Sequence, residues 1–214
     1  MAHQRDISRD PFTSDVLPDR GYALGRLLSQ IFHPIVLNIT TFVIVGSFAL
    51  DNYRIGLKWA GICILLLVLQ PTLFFLVRLR QGAYGDEDIS VRQQRNELYL
   101  FGLGWVLVAT ITLVLMGAPR PFVAVMVCAL TMGLFGSVVN LFWKISVHSA
   151  SIATTATVAL LYLRTLGIVL WLLALAVGWA RVRTGNHTPL QVLAGFGSAA
   201  AIVLLVFQVV GASG

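Results

Sequence analysis

"SASIATTATVALLYLRTLGIVLWLLALAVGWA" fills residues 149–180 and carries a single charge, Arg164. Read as one helix, these 32 residues would be about 48 Å long. The hydrocarbon core of a bilayer is about 30 Å thick. Two short helices turning near Arg164 fit that thickness better, with tilt, local thinning and a snorkelling Arg164 making up the difference. The choice decides the fold, because one crossing more or fewer moves every later polar stretch to the other face of the membrane.

The rest of the chain has the same character. Of 214 residues, 57% are hydrophobic and 11% charged, against roughly 25% charged in soluble domains. Mean hydropathy is +0.85. These values define an integral membrane protein, and the length suits a single all-α, polytopic membrane helix bundle. The net charge of +6 is scattered between apolar segments and forms no basic tract. Anionic lipid head groups are therefore the expected partner, not nucleic acid. Cys63 and Cys128 lie inside apolar runs with no Cys-x-x-Cys spacing, which supports neither a zinc site nor a redox motif. No cleavable leader is read in the first 30 residues, so the first apolar helix is expected to drive insertion.

Residues 1–31 form a polar tail. Its end, "GYALGRLLSQIF", spaces Leu24, Leu27, Leu28 and Ile31 as one face of a short interfacial helix. Residues 32–214 are the transmembrane domain. Its apolar runs predict helices over about 32–50, 57–78, 98–116, 121–142, a pair within 149–180, and 189–211. That is a bundle of about six to seven transmembrane helices. With seven, the stretches "DEDISVRQQR", "WKISVHS" and "RVRTGNHT" all return to one face.

That face pools Asp86, Asp88, Arg92, Arg95, Lys144, Ser146, His148, Arg181, Arg183, Asn186 and His187. Guanidinium and ammonium groups bind phosphate. Two histidines from different segments suit a nucleophile and a general acid. If a helix starts near His148, Ser146 sits at a helix N-terminus, which favours anions. His33 lies at the same end of the first segment. Each residue alone has a plainer explanation: flanking Arg and Lys are usually snorkelling anchors, an interfacial His is more often structural, and "DED" is usually a solvated loop. What argues for a site is that three loops converge.

These stretches resemble the signatures of the type 2 phosphatidic acid phosphatase superfamily, over roughly residues 57–211. Arg181 and His187 stand as the family's R-x5-H, "ISVH" (145–148) stands where it has P-S-G-H, and Arg95 takes the arginine of K-x6-R-P. The resemblance implies that His187 attacks phosphorus to form a phosphohistidine and that His148 protonates the leaving oxygen. Arg92, Arg95, Lys144, Ser146 and Arg181 would hold the phosphoryl oxygens, and no cofactor or metal would be needed. The implied activity is hydrolysis of a lipid phosphate or prenyl (di)phosphate.

The departures are specific. Gln191 stands where the family has the aspartate that orients the nucleophilic imidazole. Its carbonyl can still accept the imidazole N–H but supplies no charge. Asp88 replaces the first-signature lysine, Ala180 a serine, and Ile145 and Val147 the proline and glycine. Two alternatives follow. One is a non-catalytic lipid-binding relative. The other is a prenyltransferase whose Asp86 and Asp88 hold Mg²⁺. For orientation, the motif face holds 11 Lys and Arg against 4 on the other, which places it in the cytoplasm. Without Arg92, Arg95, Lys144, Arg181 and Arg183 the count is 6 against 4.

Overall fold

The computed structural model describes residues 19–85, 89 and 91–212. Among them only helices and turns occur. The helices are α1 Arg20–Ile31, α2 Pro34–Phe48, α3 Tyr53–Cys63, α4 Gln70–Arg80, α5 Arg95–Leu115, α6 Arg120–Asn140, α7 Val147–Tyr162, α8 Arg164–Arg183 and α9 Pro189–Val210. A π-helical segment, Ile64–Leu69, joins α3 to α4 without a break in direction. One 3₁₀ turn, Arg92–Gln94, precedes α5.

The apolar region 149–180 is two helices. Leu163, at φ −145° and ψ 86°, leaves the helical region one residue before Arg164. The hairpin is tight: a Cβ on Gly167 would lie 2.5 Å from the backbone nitrogen of Leu160, so only glycine fits there. Five helical stretches are long and apolar enough to cross a bilayer: Tyr53–Arg80, Arg95–Leu115, Arg120–Asn140, Arg164–Arg183 and Pro189–Val210. α1 and α2, bent by 44° at their junction, pass the same test as a pair. α7, with 16 residues, is a shorter apolar helix.

Side-chain burial explains how so short a helix is tolerated. Ten of α7's residues are buried, mostly alanines, threonines and serines, because α2, α8 and α9 surround it. Small residues let helix backbones approach where lipid supplies no hydrophobic drive between them. Ala150, Ala153, Ala156 and Ala159 pack on Ala174, Val177, Phe196 and Ala199. Thr155 Oγ1 stands 2.9 Å from Thr41 Oγ1, tying α7 to α2. A second core, with Phe42, Leu113, Phe122, Met126 and Phe207, joins α2, α5, α6 and α9.

Contacts at the two ends show the parity. Asn140 Nδ2 donates to Asn96 Oδ1 at 2.8 Å where α6 ends beside the start of α5. At the opposite end, the Tyr162 hydroxyl donates to the Ala212 carbonyl at 2.6 Å, so α7 and α9 finish together. α1 lies against the end of α8, where Arg183 pairs with Asp19. It buries Gly25 and Ser29 and leaves Leu24, Leu27 and Ile31 exposed.

Two expectations need adjustment. The first apolar helix is Pro34–Phe48, shorter than 32–50, because His33 caps it and Pro34 is its first residue. The second runs from Tyr53 to Arg80, longer than 57–78, since Asn52 caps it upstream and basic residues end it. The π segment has no signal in the apolar run "ILLLVL". It is a tertiary feature, with the Trp105 indole N–H donating to the Leu66 carbonyl.

Candidate active site

α8 ends at Arg183, and the chain turns through Gly185 at φ +73°. The His187 amide donates back to the Arg181 carbonyl at 3.1 Å, while Lys144 Nζ donates to the Asn186 carbonyl at 2.9 Å. α9 then opens on a capping box. The Thr188 side chain accepts from the Gln191 amide at 3.4 Å, and Gln191 Oε1 accepts from the Thr188 amide at 3.1 Å. Such a box satisfies two orphan N–H groups at once.

The box also sets the chemistry of His187. The Thr188 N–H can only donate, so the atom facing it is the Gln191 carbonyl oxygen. The same oxygen lies 3.2 Å from His187 Nδ1. Two acceptors cannot bond to each other, so Nδ1 carries the proton and Nε2 keeps its lone pair. Burial lowers the His187 pKa to about 3, helped by the charges of Lys144, Arg181 and Arg95 and opposed by the Gln191 bond. The ring is therefore neutral at physiological pH.

His148 sits in the first turn of α7, whose N-cap is Ser146. The Ser146 hydroxyl accepts from the Ser149 amide at 3.3 Å and from the Ser149 hydroxyl at 2.9 Å. The Ser146 amide donates to the Gln191 backbone carbonyl at 3.3 Å, joining the starts of α7 and α9. This close approach needs Gly195, where a Cβ would lie 2.8 Å from the Ser146 carbonyl oxygen. Arg95, the first residue of α5, donates its Nε to the Ile89 carbonyl at 2.8 Å. Ile89 has φ +44°, an uncommon conformation for a β-branched residue.

His33, Arg95, His148, Arg181 and His187 line one end of a cavity of about 290 Å³. Its remaining wall is largely apolar and includes Leu67, Val68, Pro71, Phe75 and Leu98. Arg181 is 2% exposed and Arg95 6%. The cavity thus has an electropositive, histidine-bearing end and an apolar side.

Not every expected residue reaches it. Ser146 is fully buried in its cap, Lys144 clasps the neighbouring loop, and Gln191 stands behind His187. Asp86, Asp88 and the side chain of Arg92 lie outside what is described. Among the described residues, no group of three or more His, Cys, Asp or Glu is placed to hold a metal. His33, Tyr99 and Ile89 also line the cavity, and no motif in the sequence marks them. The "TPLQ" capping pattern is legible in the sequence, being a hydroxyl residue followed three positions on by Gln before an apolar run.

Fold and site together define a helical membrane protein with an arginine- and histidine-lined cavity that has an apolar wall. Residues 98–214 match the family model of the PAP2 superfamily. The match covers more than half of the chain, and the protein belongs to that superfamily. Membership supports phosphatase-type activity on phosphate esters. The matched stretch contains His148, Arg181, His187 and Gln191 and begins after Arg95. No curated protein and no solved structure matches the chain.

Proposed function

We propose that the protein hydrolyses a lipid phosphate or prenyl (di)phosphate at the membrane surface through a phosphohistidine on His187. The observation that carries this reading is the neutral His187 ring, with Nδ1–H held by Gln191 and an Nε2 lone pair, lining a cavity shared with His148, Arg95 and Arg181. In the first step the Nε2 lone pair attacks phosphorus. The bond from phosphorus to the leaving oxygen breaks, and His148 supplies that oxygen with a proton. In the second step water attacks the phosphohistidine, His148 takes the water's proton, and the P–N electron pair returns to Nε2. Arg95 and Arg181 neutralise charge on the phosphoryl oxygens, the contribution expected of oriented cations in such a transfer. Lys144 adds field and holds the loop through Asn186.

The apolar wall supports a lipid as the carrier of the phosphate, since the tail can lie along Leu67, Val68, Phe75 and Leu98 while the head group meets the cations. We assign the site face to the cytoplasm on the distribution of Lys and Arg and place α1 in the interface, its leucines toward lipid. A reporter fused after residue 214 then reads as external, because seven crossings separate the two ends. A cytoplasmic signal there reverses the orientation.

One observation favours a second reading, a lipid-binding protein without turnover. Gln191 cannot stabilise the imidazolium-like phosphohistidine with a charge. Phosphate release by purified protein from phosphatidate and a polyprenyl diphosphate, with and without EDTA, separates the readings. EDTA-resistant release that falls at least about 10³-fold in His187→Ala is expected for a covalent nucleophile. Release abolished by EDTA would transfer the chemistry to a metal at Asp86 and Asp88. Binding of both lipids without release would establish the second reading.

A further inference from the structure

His33 belongs to α2, outside the stretch matched by the superfamily model, and the mechanism above does not use it. It nevertheless lines the same cavity as His148, Arg181 and His187. Its ring stands perpendicular to that of His148, with centroids 5.7 Å apart. Its place is set from behind, because Nδ1 accepts the Ile35 amide at 3.3 Å as the N-cap of α2. A ring whose Nδ1 accepts has its proton on Nε2. His33 is thus a fixed aromatic body, anchored by its own helix and presented to a residue on another.

We propose that His33 is a positioning residue for the proton-donating step: it holds the His148 ring in an edge-to-face contact on the leaving-oxygen side of the cavity. The proposal rests on the phosphatase reading of the site. Proton transfer to a leaving oxygen requires the donor within hydrogen-bond reach, and a small misplacement is expensive. His148 is carried by the first turn of α7, whose backbone the capping bonds of Ser146 fix. An edge-to-face contact of this length has a preferred geometry and orients the ring by contact. Arg95, Arg181 and His187 face the same space, so a displaced His148 would also be pulled or pushed by those neighbours.

Capping and positioning can be separated, because Asn caps helices well. His33→Asn keeps an acceptor for Ile35 and removes the ring; His33→Ser serves the same purpose if the Asn variant does not accumulate. Two substrates are compared in detergent with the full chain: p-nitrophenyl phosphate, whose leaving group needs little protonation, and a long-chain lysophosphatidate, whose leaving alkoxide needs it. We expect kcat/KM on the lipid, which reports the step that expels the leaving oxygen and not the shared hydrolysis of the phosphohistidine, to fall about tenfold, with kcat/KM for p-nitrophenyl phosphate within about twofold and Tm unchanged. In a His148→Ala background the second change should remove nothing more. Equal losses on both substrates, full activity, or losses that multiply with His148→Ala would overturn the proposal. Histidine ¹⁵N spectra add a readout independent of turnover. The His148 signal should shift or broaden in His33→Asn, and an unchanged signal overturns the proposal. If the wild-type chain hydrolyses neither substrate, the phosphatase reading fails by itself and the spectra alone decide whether His33 holds His148.

Discussion

The two walls of the cavity are built differently. The wall from α7, α8 and α9 is dense. α7 buries ten residues, and Ala174, Val177, Ala180 and Ala199 are all at 0% exposure. The wall from α4 and α5 is sparse: α4 buries no residue at all, and α5 buries only Arg95, Ala109 and Leu113. The histidines of the matched stretch, with Arg181, ride on the dense wall, and the apolar lining comes from the sparse wall and the π segment. The contrast teaches a division of work. Positions that must be held to fractions of an ångström are set by backbones in van der Waals contact. Positions that only have to be greasy are left facing lipid, where side chains can adjust.

The largest effect should come from prying the dense wall apart. Gly195→Val places a branched side chain against the Ser146 carbonyl and the first turn of α7. Overpacking of this kind costs about 1–3 kcal/mol, and phosphate release should fall by about 10²-fold as His148 and His187 separate. Gly102→Ala on the sparse wall meets open space and should change the rate less than twofold. Equal losses in the two variants would erase the comparison.

Gln191→Leu comes next. It removes the acceptor for His187 Nδ1 and half of the capping box, so the tautomer is no longer set. A loss of about 10²-fold in kcat is expected, smaller than that seen when a buried carboxylate partner is removed. Gln191→Glu retains an acceptor and adds a charge, and it should raise the His187 pKa from about 3. A ¹⁵N titration of labelled histidine measures both changes.

The same titration sharpens the contrast in the wild type. His187 should keep its Nδ1–H form from pH 8 to 5, because its pKa in the fold is about 3 against an ordinary 6.5. Above pH 6.5 both folded and unfolded chains hold a neutral ring, and no stability difference arises. As pH falls from 6.5 toward 3, only the unfolded chain takes up the proton, so His187 destabilises the fold progressively. A midpoint near 6.5 in the folded protein would mean the ring is open to water. Stability measured by denaturant at pH 7 and pH 5 checks the sign.

The smallest effect belongs to the sparse wall. Phe75→Ala or Leu98→Ala should alter KM for long-chain substrates about three- to tenfold, the range of one or two lost apolar groups. kcat on a water-soluble phosphate should stay within twofold. A fall in kcat on that substrate instead would make the apolar wall part of the catalytic geometry.

Particular residues show how much was legible beforehand. The break beside Arg164 could be read because a helix of residues 149–180 outruns a bilayer. The start of α9 could be read from "TPLQ", and Arg181 and His187 from their spacing and their place between apolar runs. The π segment could not be read, since Ile64–Leu69 has no local signal and its carbonyl is taken by Trp105 from α5. The packed side of α1 was equally hidden. Leu24, Leu27, Leu28 and Ile31 marked one face of an interfacial helix, but nothing local marked Gly25 and Ser29 as what it buries, where contact with the Ala180 backbone and the Thr184 side chain requires small residues. Lys144 and Ser146 were expected to hold phosphate, and what composition did not show is the bonds they make, Lys144 to the Asn186 carbonyl and Ser146 within the cap of α7.

By itself the sequence determined that this is a helical membrane protein and that the apolar region 149–180 turns back near Arg164. Those properties follow from hydropathy, helix rise and bilayer thickness, all of which are local or summed along the chain. The tertiary structure alone decided that three cations, Lys144, Arg181 and Arg95, act on one neutral imidazole. It also decided that His33 meets His148. Those are contacts between side chains on separate helices, and they depend on approach distances that small residues at the crossings set and that no local pattern encodes.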